Sequence, residues 1–290
     1  MVQDAGNRLI SAFGKQTEKI IYFCAAENVS PNLAVHEIRK SFKRIRALLK
    51  FYDENPEEFS QMYGQQFSEW GRFLAPVRES FVNIQIFERL AAGDILIPER
   101  KLRATRELLL EKNRMLLERE LINGNGFSVI RARIDDFEQR LDLLENNWPS
   151  VKQFYMQLTV SFSDGYQIYG QVLLEPDAKI NHSLRKKLKR LWYQLDFIKF
   201  MHPRYFKLKS DQLNKITEQL GEDHDLFVFQ NELKTSGYDF TSDELIILEN
   251  QAEHQRELNM LKLTPRLKQF FNETPEMFNQ KMDKIFKIQL

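Results

Sequence analysis

The sequence predicts an all-α protein built from a duplicated helical unit, and three observations carry that prediction. Turn formers are scarce, with 11 Gly and 9 Pro in 290 residues, while Phe is abundant at 23, a balance that favours long helices over a turn-rich β architecture. No stretch alternates apolar and polar residues well enough to be read as a strand. A basic helix also recurs at a fixed distance along the chain.

That recurrence sets the order of elements. Aligning His36 with His182 fixes an offset of 146 residues, at which Arg39, Lys40, Lys43 and Arg44 fall on Arg185, Lys186, Lys189 and Arg190. Apolar positions follow: Ile38 meets Leu184, Phe42 meets Leu188, Ile45 meets Leu191 and Leu49 meets Leu195. The register holds without a gap about 40 residues on, where FLAPVRESFV at 73–82 lands on QLGEDHDLFV at 219–228. A period this long exceeds the ~20–50 residues of solenoid repeats. The reading is one domain over 1–290 made of two homologous halves, 1–147 and 148–290, each a bundle of about four or more helices.

In the first half a helix is expected over about 7–27. The second opens at Ser30-Pro31, an N-cap followed by proline at the first helical position, and runs to about Tyr52 before the acidic DENPEE turn. Helices follow at roughly 57–74, 77–91, 97–121 and 127–146. In the second half they are expected near 150–173, 178–200, 205–234, 241–262 and 265–286. GNG at 124–126, SDG at 163–165 and the prolines at 149, 176, 203 and 265 supply the breaks.

Apolar residues at 42% and charged residues at 29% describe a globular chain, not a disordered one. No apolar run reaches the ~18 residues that span a membrane, and MVQDAGNRLISAFGK has no signal-peptide pattern, so a cytoplasmic setting is expected. Cys24 is the single cysteine and sits in an apolar run, so it reads as a small core hydrophobe. Net charge is only +1, yet residues 36–50 carry six cations against Glu37, and residues 182–199 carry six against Asp196. Two helices of net +5 are therefore embedded in an otherwise acidic body.

At roughly 100° per residue, His36 and the six cations Arg39, Lys40, Lys43, Arg44, Arg46 and Lys50 share an arc of about 160°. Ile38, Phe42, Ile45, Leu48, Leu49 and Tyr52 fill the opposite arc. The cationic face reads as free of interleaved acids. An ordinary solvated face mixes signs, because Glu–Lys neighbours stabilise a helix by a few tenths of a kcal/mol and like charges cost about as much. Tolerating that repulsion at corresponding sites of both halves points to a polyanion ligand. Arginine offers forked donors to phosphate oxygens and lysine a compact charge. Aromatic platforms for stacking bases are absent from the first face, whereas Trp192 and Tyr193 stand on the second where Arg46 and Ala47 stand on the first.

Other chemistries are weaker. HEIRK at 36–40 begins like a zinc helix, but Lys40 occupies the second ligand position. EDHD at 222–225 reads as a helix-associated acidic turn whose Asp225 braces a basic-face arginine. There is no Walker-type glycine loop and no G-x-S-x-G elbow. His36 or His182 acting as a phosphoacceptor is the alternative enzyme reading, and a groove docking RNA or an acidic protein is the alternative binding one.

HEIRKSFKRIR at 36–46 and HSLRKKLKRLWY at 182–193 resemble the signature of the CHAD family, the conserved histidine α-helical domain. That signature is a histidine, an arginine three positions on, basic pairs at seven and eight, and often an arginine at ten. LGEDHDLFV at 220–228 is similar to the family's second landmark, Leu-Gly followed by an acid. The resemblance covers essentially the whole chain. It implies two helical bundles related by pseudo-twofold symmetry, with a central basic channel that binds inorganic polyphosphate. Carried over by position, it implies phosphate contact at His36, Arg39, Lys43, Arg44 and Arg46, and at His182, Arg185, Lys189 and Arg190. Lys40, Lys50 and Lys186 join them on wheel geometry. The sequence departs from the pattern at Trp192, where an arginine is common, and at Ala75 and Glu79, where Gly and Asp are expected. The expectation is a non-catalytic binder that needs no cofactor and no membrane. It would sit at polyphosphate granules, with polyphosphate-metabolising enzymes as candidate partners and nucleic acid disfavoured.

Overall fold

The protein is described here by a computed structural model covering residues 2–52, 57–93, 96–142, 149–174 and 177–287. Every regular element among the described residues is helical. The order is α1 (Val2–Ala25), α2 (Pro31–Leu49), α3 (Glu57–Phe73), α4 (Ala75–Ala91), α5 (Glu99–Leu117), α6 (Gly126–Asp142), α7 (Val151–Leu174), α8 (Ala178–Ile198), α9 (Pro203–Thr235), α10 (Ser242–Phe270) and α11 (Pro275–Lys287).

Shifted by 146 residues along the sequence, α1 falls on α7, α2 on α8, α5 on α10 and α6 on α11, while α3 and α4 together fall on the single long α9. Proline explains the split. Pro76, at the second position of α4, has no N–H to continue a helix from α3, so the chain breaks at Leu74. Glu222 stands at the matching place in α9, and the helix runs on through Gly221. The expected division at 147/148 lies outside the described residues, as do Pro176 and most of the DENPEE turn.

Local chemistry fixes the two basic helices. Ser30 caps α2, its Oγ accepting from the Leu33 N–H at 3.3 Å, with Pro31 at the first turn. Asp177 caps α8 by accepting from the Lys179 and Ile180 N–H groups at 2.7 and 3.2 Å. Such caps stabilise a helix by about 1 kcal/mol. The apolar stripes enter one core shared by both halves: Ile38, Phe42 and Ile45 from α2 join Leu184, Leu188 and Leu191 from α8, all buried. Each such side chain contributes roughly 1.5–3 kcal/mol. The helices α2 and α8 pack directly on each other, and the buried Gln194 amide donates to the Ala47 carbonyl at 3.1 Å across the contact. α4 packs on α2 and α9, and α9 on α8, so four helices surround the junction.

Two expected breaks are corrected. The SDG triplet does not interrupt α7; Gly165 is a close-packing point, since a Cβ there would lie 2.9 Å from Leu188 Cδ2. Pro265 does not end a helix either, because α10 continues to Phe270. An interior proline costs about 3 kcal/mol, but Leu263, Leu267 and Phe270 are all buried on the core face, and their burial outweighs it. GNG does end a helix: a π turn over Glu118–Asn123 leads to Asn125 at φ 49°. The expected run of α2 to Tyr52 is also modified, since the α-helix stops at Leu49 and Lys50–Tyr52 form a 3₁₀ turn. Cys24 is half-buried against the core, and burial pushes its thiol up to about 12.

Candidate functional site

Packing the apolar face of α2 near that of α8 brings their cationic edges together. Lys43 keeps exposed surface on this face yet is ringed by other cations. Burial, then Arg185, Arg39 and Lys189, push it down to about 7, and Asp225 opposes this. Lys189 is pushed down to about 8 by burial and Arg185, with Lys40 and Arg44 adding to the effect. Arg39 is held below the ordinary guanidinium value by burial, with Arg78 and Arg185 adding and Glu79 opposing. Cations of the first half therefore press on cations of the second. His36, lowered to about 4 by burial and by Arg78, Lys40 and Lys43, borders the same group. So does His182, also lowered to about 4 by burial, Lys186, Arg185 and Lys43. Lys43 is the neighbour the two histidines share.

The acids nearby are few and strained. Asp225 on α9 is raised above the ordinary carboxylate value by burial, against the pull of Arg185, Arg78, Lys43 and Arg89. It sits among those arginines as a partial counterion. Glu79 on α4, its equivalent at the 146-residue offset, is raised by burial despite Arg39, and Asp225 adds to the effect. One expectation needs correction: the α2 face is not free of acids. Glu37 lies 3.4 Å from Lys40 and 3.8 Å from His36, and it also accepts from Lys19 on α1. The wheel placed Glu37 just outside the arc, but its side chain reaches across the edge. Arg44 similarly lies 3.8 Å from Asp196 on α8.

The two signature arginines are seated differently. Arg39 donates from Nη1 to the Gly71 carbonyl on α3. Arg185 lies over Gly221, where an added Cβ would stand 3.2 Å from its Nε and Nη2. The glycine of the Leu-Gly landmark is thus a seat for a guanidinium, and Ala75 stands there in the first half. Beside Arg185, His182 stacks on His224 with ring centroids 3.9 Å apart. His224 is lowered to about 3 by burial, His182, Arg185, Lys43 and Lys186. Behind the pair, Asp223 accepts from Asn181 at 3.2 Å and from Arg256 at 3.0 Å, so each histidine is braced by its chain neighbour. The Nδ1 atoms of His182 and His224 and Nε of Arg185 are buried without a hydrogen-bond partner. Buried polar atoms left unsatisfied are rare and costly, and here they cluster where the cations converge.

Of the residues singled out from the sequence, His36, Arg39, Lys40, Lys43 and Arg44 on α2 and His182, Arg185, Lys186 and Lys189 on α8 form this group. Three lie apart from it. Arg46 faces Arg72 of α3 at the rim, both guanidinium groups exposed. Lys50 falls in the 3₁₀ turn beyond α2, where the α-helical wheel no longer applies. Arg190 turns to α7 and donates to Asp164 at 2.6 Å, a carboxylate it shares with Lys187 at 2.8 Å. Arg78 and His224 were missed. They are paired in the second in-register segment, and reading that pairing as a continuation of the basic face would have found both. Tyr193 is buried, and the Trp192 ring is covered by Lys189 at 4.1 Å, which leaves these aromatics poor platforms for a base.

A family model for the CHAD domain matches residues 11–234, well over half of the chain. The crystal structure of the CHAD domain from the plant Ricinus communis is similar in fold, with a TM-score of 0.60 at 16% identity, covering 90% of this chain and 91% of that one. No curated protein is similar enough to match. With the two histidine-led basic helices and the Leu-Gly seat in place, the chain belongs to the CHAD family.

Proposed function

We propose that the protein binds inorganic polyphosphate across the joined cationic faces of α2 and α8, and that it acts by binding alone, without catalysis. The supporting observation is the mutual pressure of Arg39, Lys43, Arg185 and Lys189: four cations from two halves crowd together, and Asp225, Glu79 and Glu218 offset that pressure only in part. A free protein holds such a group at a cost, and a bound polyanion reverses that cost. A phosphate chain supplies evenly spaced charge and demands no base reading, which suits contacts of this kind. Arginine forks and lysine charges would hold non-bridging oxygens. In the cell this role fits residence at polyphosphate granules, beside enzymes that make or cut the polymer.

The test is a polyphosphate titration at several salt concentrations, with RNA as competitor. Affinity should fall by roughly 0.7–0.9 log units per log unit of salt for each phosphate contact, by analogy with nucleic acids. Replacing Arg39, Lys43, Arg185 and Lys189 together by alanine should abolish binding and leave the helical content and melting cooperativity intact. Unchanged binding by that variant would refute the proposal. Displacement of bound polyphosphate by RNA would turn the reading to nucleic acid, and acid-labile phosphate on His36 or His182 would turn it to phosphotransfer.

A further inference from the structure

A second group of cations lies along α9, beside the first. A shallow cavity of about 310 Å3 opens between α9 and α10, bounded by Arg89 from α4, Lys215 from α9, and Lys262 and Arg266 from α10. Glu218 and Glu222 also line it, leaving a net positive wall. All four cations are exposed. Lys262 and Arg266 are i, i+4 neighbours of like charge, an arrangement that disfavours a helix by a few tenths of a kcal/mol. The floor is fixed rather than loose: the buried Asn259 amide donates to the Gln219 carbonyl at 2.6 Å and ties α10 to α9.

Two residues join this cavity to the α2–α8 cluster. Arg89 lines the cavity and acts on Asp225, the carboxylate that faces Arg185 and Lys43. Glu218 lines the cavity and acts on Lys189. The two positive regions are neighbours along one helix, not isolated patches.

We infer that the cavity is an extension of the anion site, taking the phosphates of a polymer that overhang the α2–α8 cluster and making affinity depend on chain length. The inference rests on the polyphosphate reading above and adds to it a second point of attachment. A chain too short to reach both regions gains nothing from the cavity. A chain that spans them binds its second point at high effective concentration, which multiplies affinity without new chemistry. Glu218 and Glu222 make the extension weaker than the main cluster, so it grips only a polymer already held.

The experiment compares long-chain polyphosphate with tripolyphosphate on the wild-type chain and on a Lys215→Gln, Lys262→Gln, Arg266→Gln variant. A charge-matched control carries Arg131→Gln, Arg133→Gln and Lys152→Gln, exposed positions on α6 and α7. Melting curves verify that both variants fold. The expected result is a loss of about tenfold for the long polymer, less than about twofold for tripolyphosphate, and little change in the control. Equal losses for both polymers, equal losses in the control, or no loss for the long polymer would overturn the extension while leaving the main site standing. Failure of the wild-type chain to bind either polymer would overturn the polyphosphate reading itself, and the extension with it.

Discussion

The two halves present the same signature and spend it differently. In the first, Arg39 reaches the Gly71 carbonyl, Arg44 faces α8, and Arg78 stands at the position that pairs with a histidine. In the second, Arg185 rests on Gly221, Arg190 is drawn off to Asp164, and His224 stacks on His182. The first half therefore presents three arginines, and the second a seated guanidinium flanked by two neutral rings. The lesson is that a repeated motif does not assign equal roles: which cation stays available is decided by the neighbouring helix.

The largest test of that contrast compares equivalent arginines. Arg44→Ala should weaken polyphosphate binding by several-fold to tenfold, about 1 kcal/mol, the scale of a hydrogen bond to a charged group lost in a partly solvated site. Arg190→Ala should leave binding within about twofold, because its guanidinium serves Asp164. It should instead lower the melting temperature slightly. Titration and thermal melts of the two variants distinguish these outcomes, and equal binding losses would erase the asymmetry.

A middle-sized effect concerns protons. In the free protein His36 and His182 titrate near 4 and His224 near 3, so all three are neutral at pH 7. A bound polyanion favours the protonated rings and raises these values. Binding then takes up protons, and affinity should rise as pH falls from 7 toward 5, by less than about tenfold per pH unit for each coupled histidine, with Lys43, held near 7, adding to the rise close to neutrality. His224→Arg, which gives the second half the residue found at 78, should tighten binding at pH 7 and flatten the profile. A profile identical to wild type would mean that His224 does not sense the ligand.

The smallest effect is on stability of the free protein. Lys43 is held near 7 and Lys189 near 8, both below the ordinary 10.5. The unfolded chain thus binds more protons than the folded one between those values and 10.5, and stability rises with pH across that window. At pH 7 Lys189 is mostly charged and Lys43 about half charged, and both carry their repulsive charge in full only well below pH 7. Lys43→Met should raise the melting temperature at pH 7 by a few degrees, and Lys189→Met by less, while both weaken polymer binding. Differential scanning calorimetry without ligand checks the ranking. A fall in melting temperature for Lys43→Met would show that the ammonium is not under repulsion.

Much of this was legible in the sequence, and the failures share a cause. The 146-residue register set the first helix opposite 150–173 and the two basic helices opposite each other, and the expected single helix at 205–234 matches α9, because apolar periodicity is a local signal. The last division was expected at Pro265 and falls instead between Phe270 and Pro275. The wheel found the cationic face for the same reason. It could not show that Asp164 of α7 captures Arg190, or that Glu37 leans back over Lys40, because those depend on how helices pack. Pro265 and the SDG triplet misled because burial of Leu267 and Phe270, and the close contact of Gly165 with Leu188, overrule local propensity. Arg78 and His224 were visible as an aligned pair, but they sit on α4 and α9, and only the packing of those helices against α2 and α8 brings them to the site.

The central claim is that both halves build a single site. It is tested most directly by the stoichiometry of a short polyphosphate oligomer, measured calorimetrically on the wild-type chain and on two half-site variants, Arg39→Ala with Lys43→Ala and Arg185→Ala with Lys189→Ala. A shared site gives one oligomer per chain, with affinity lost or severely reduced in either variant. Two oligomers per chain, falling to one of unchanged affinity in each variant, would show two independent sites and contradict the account.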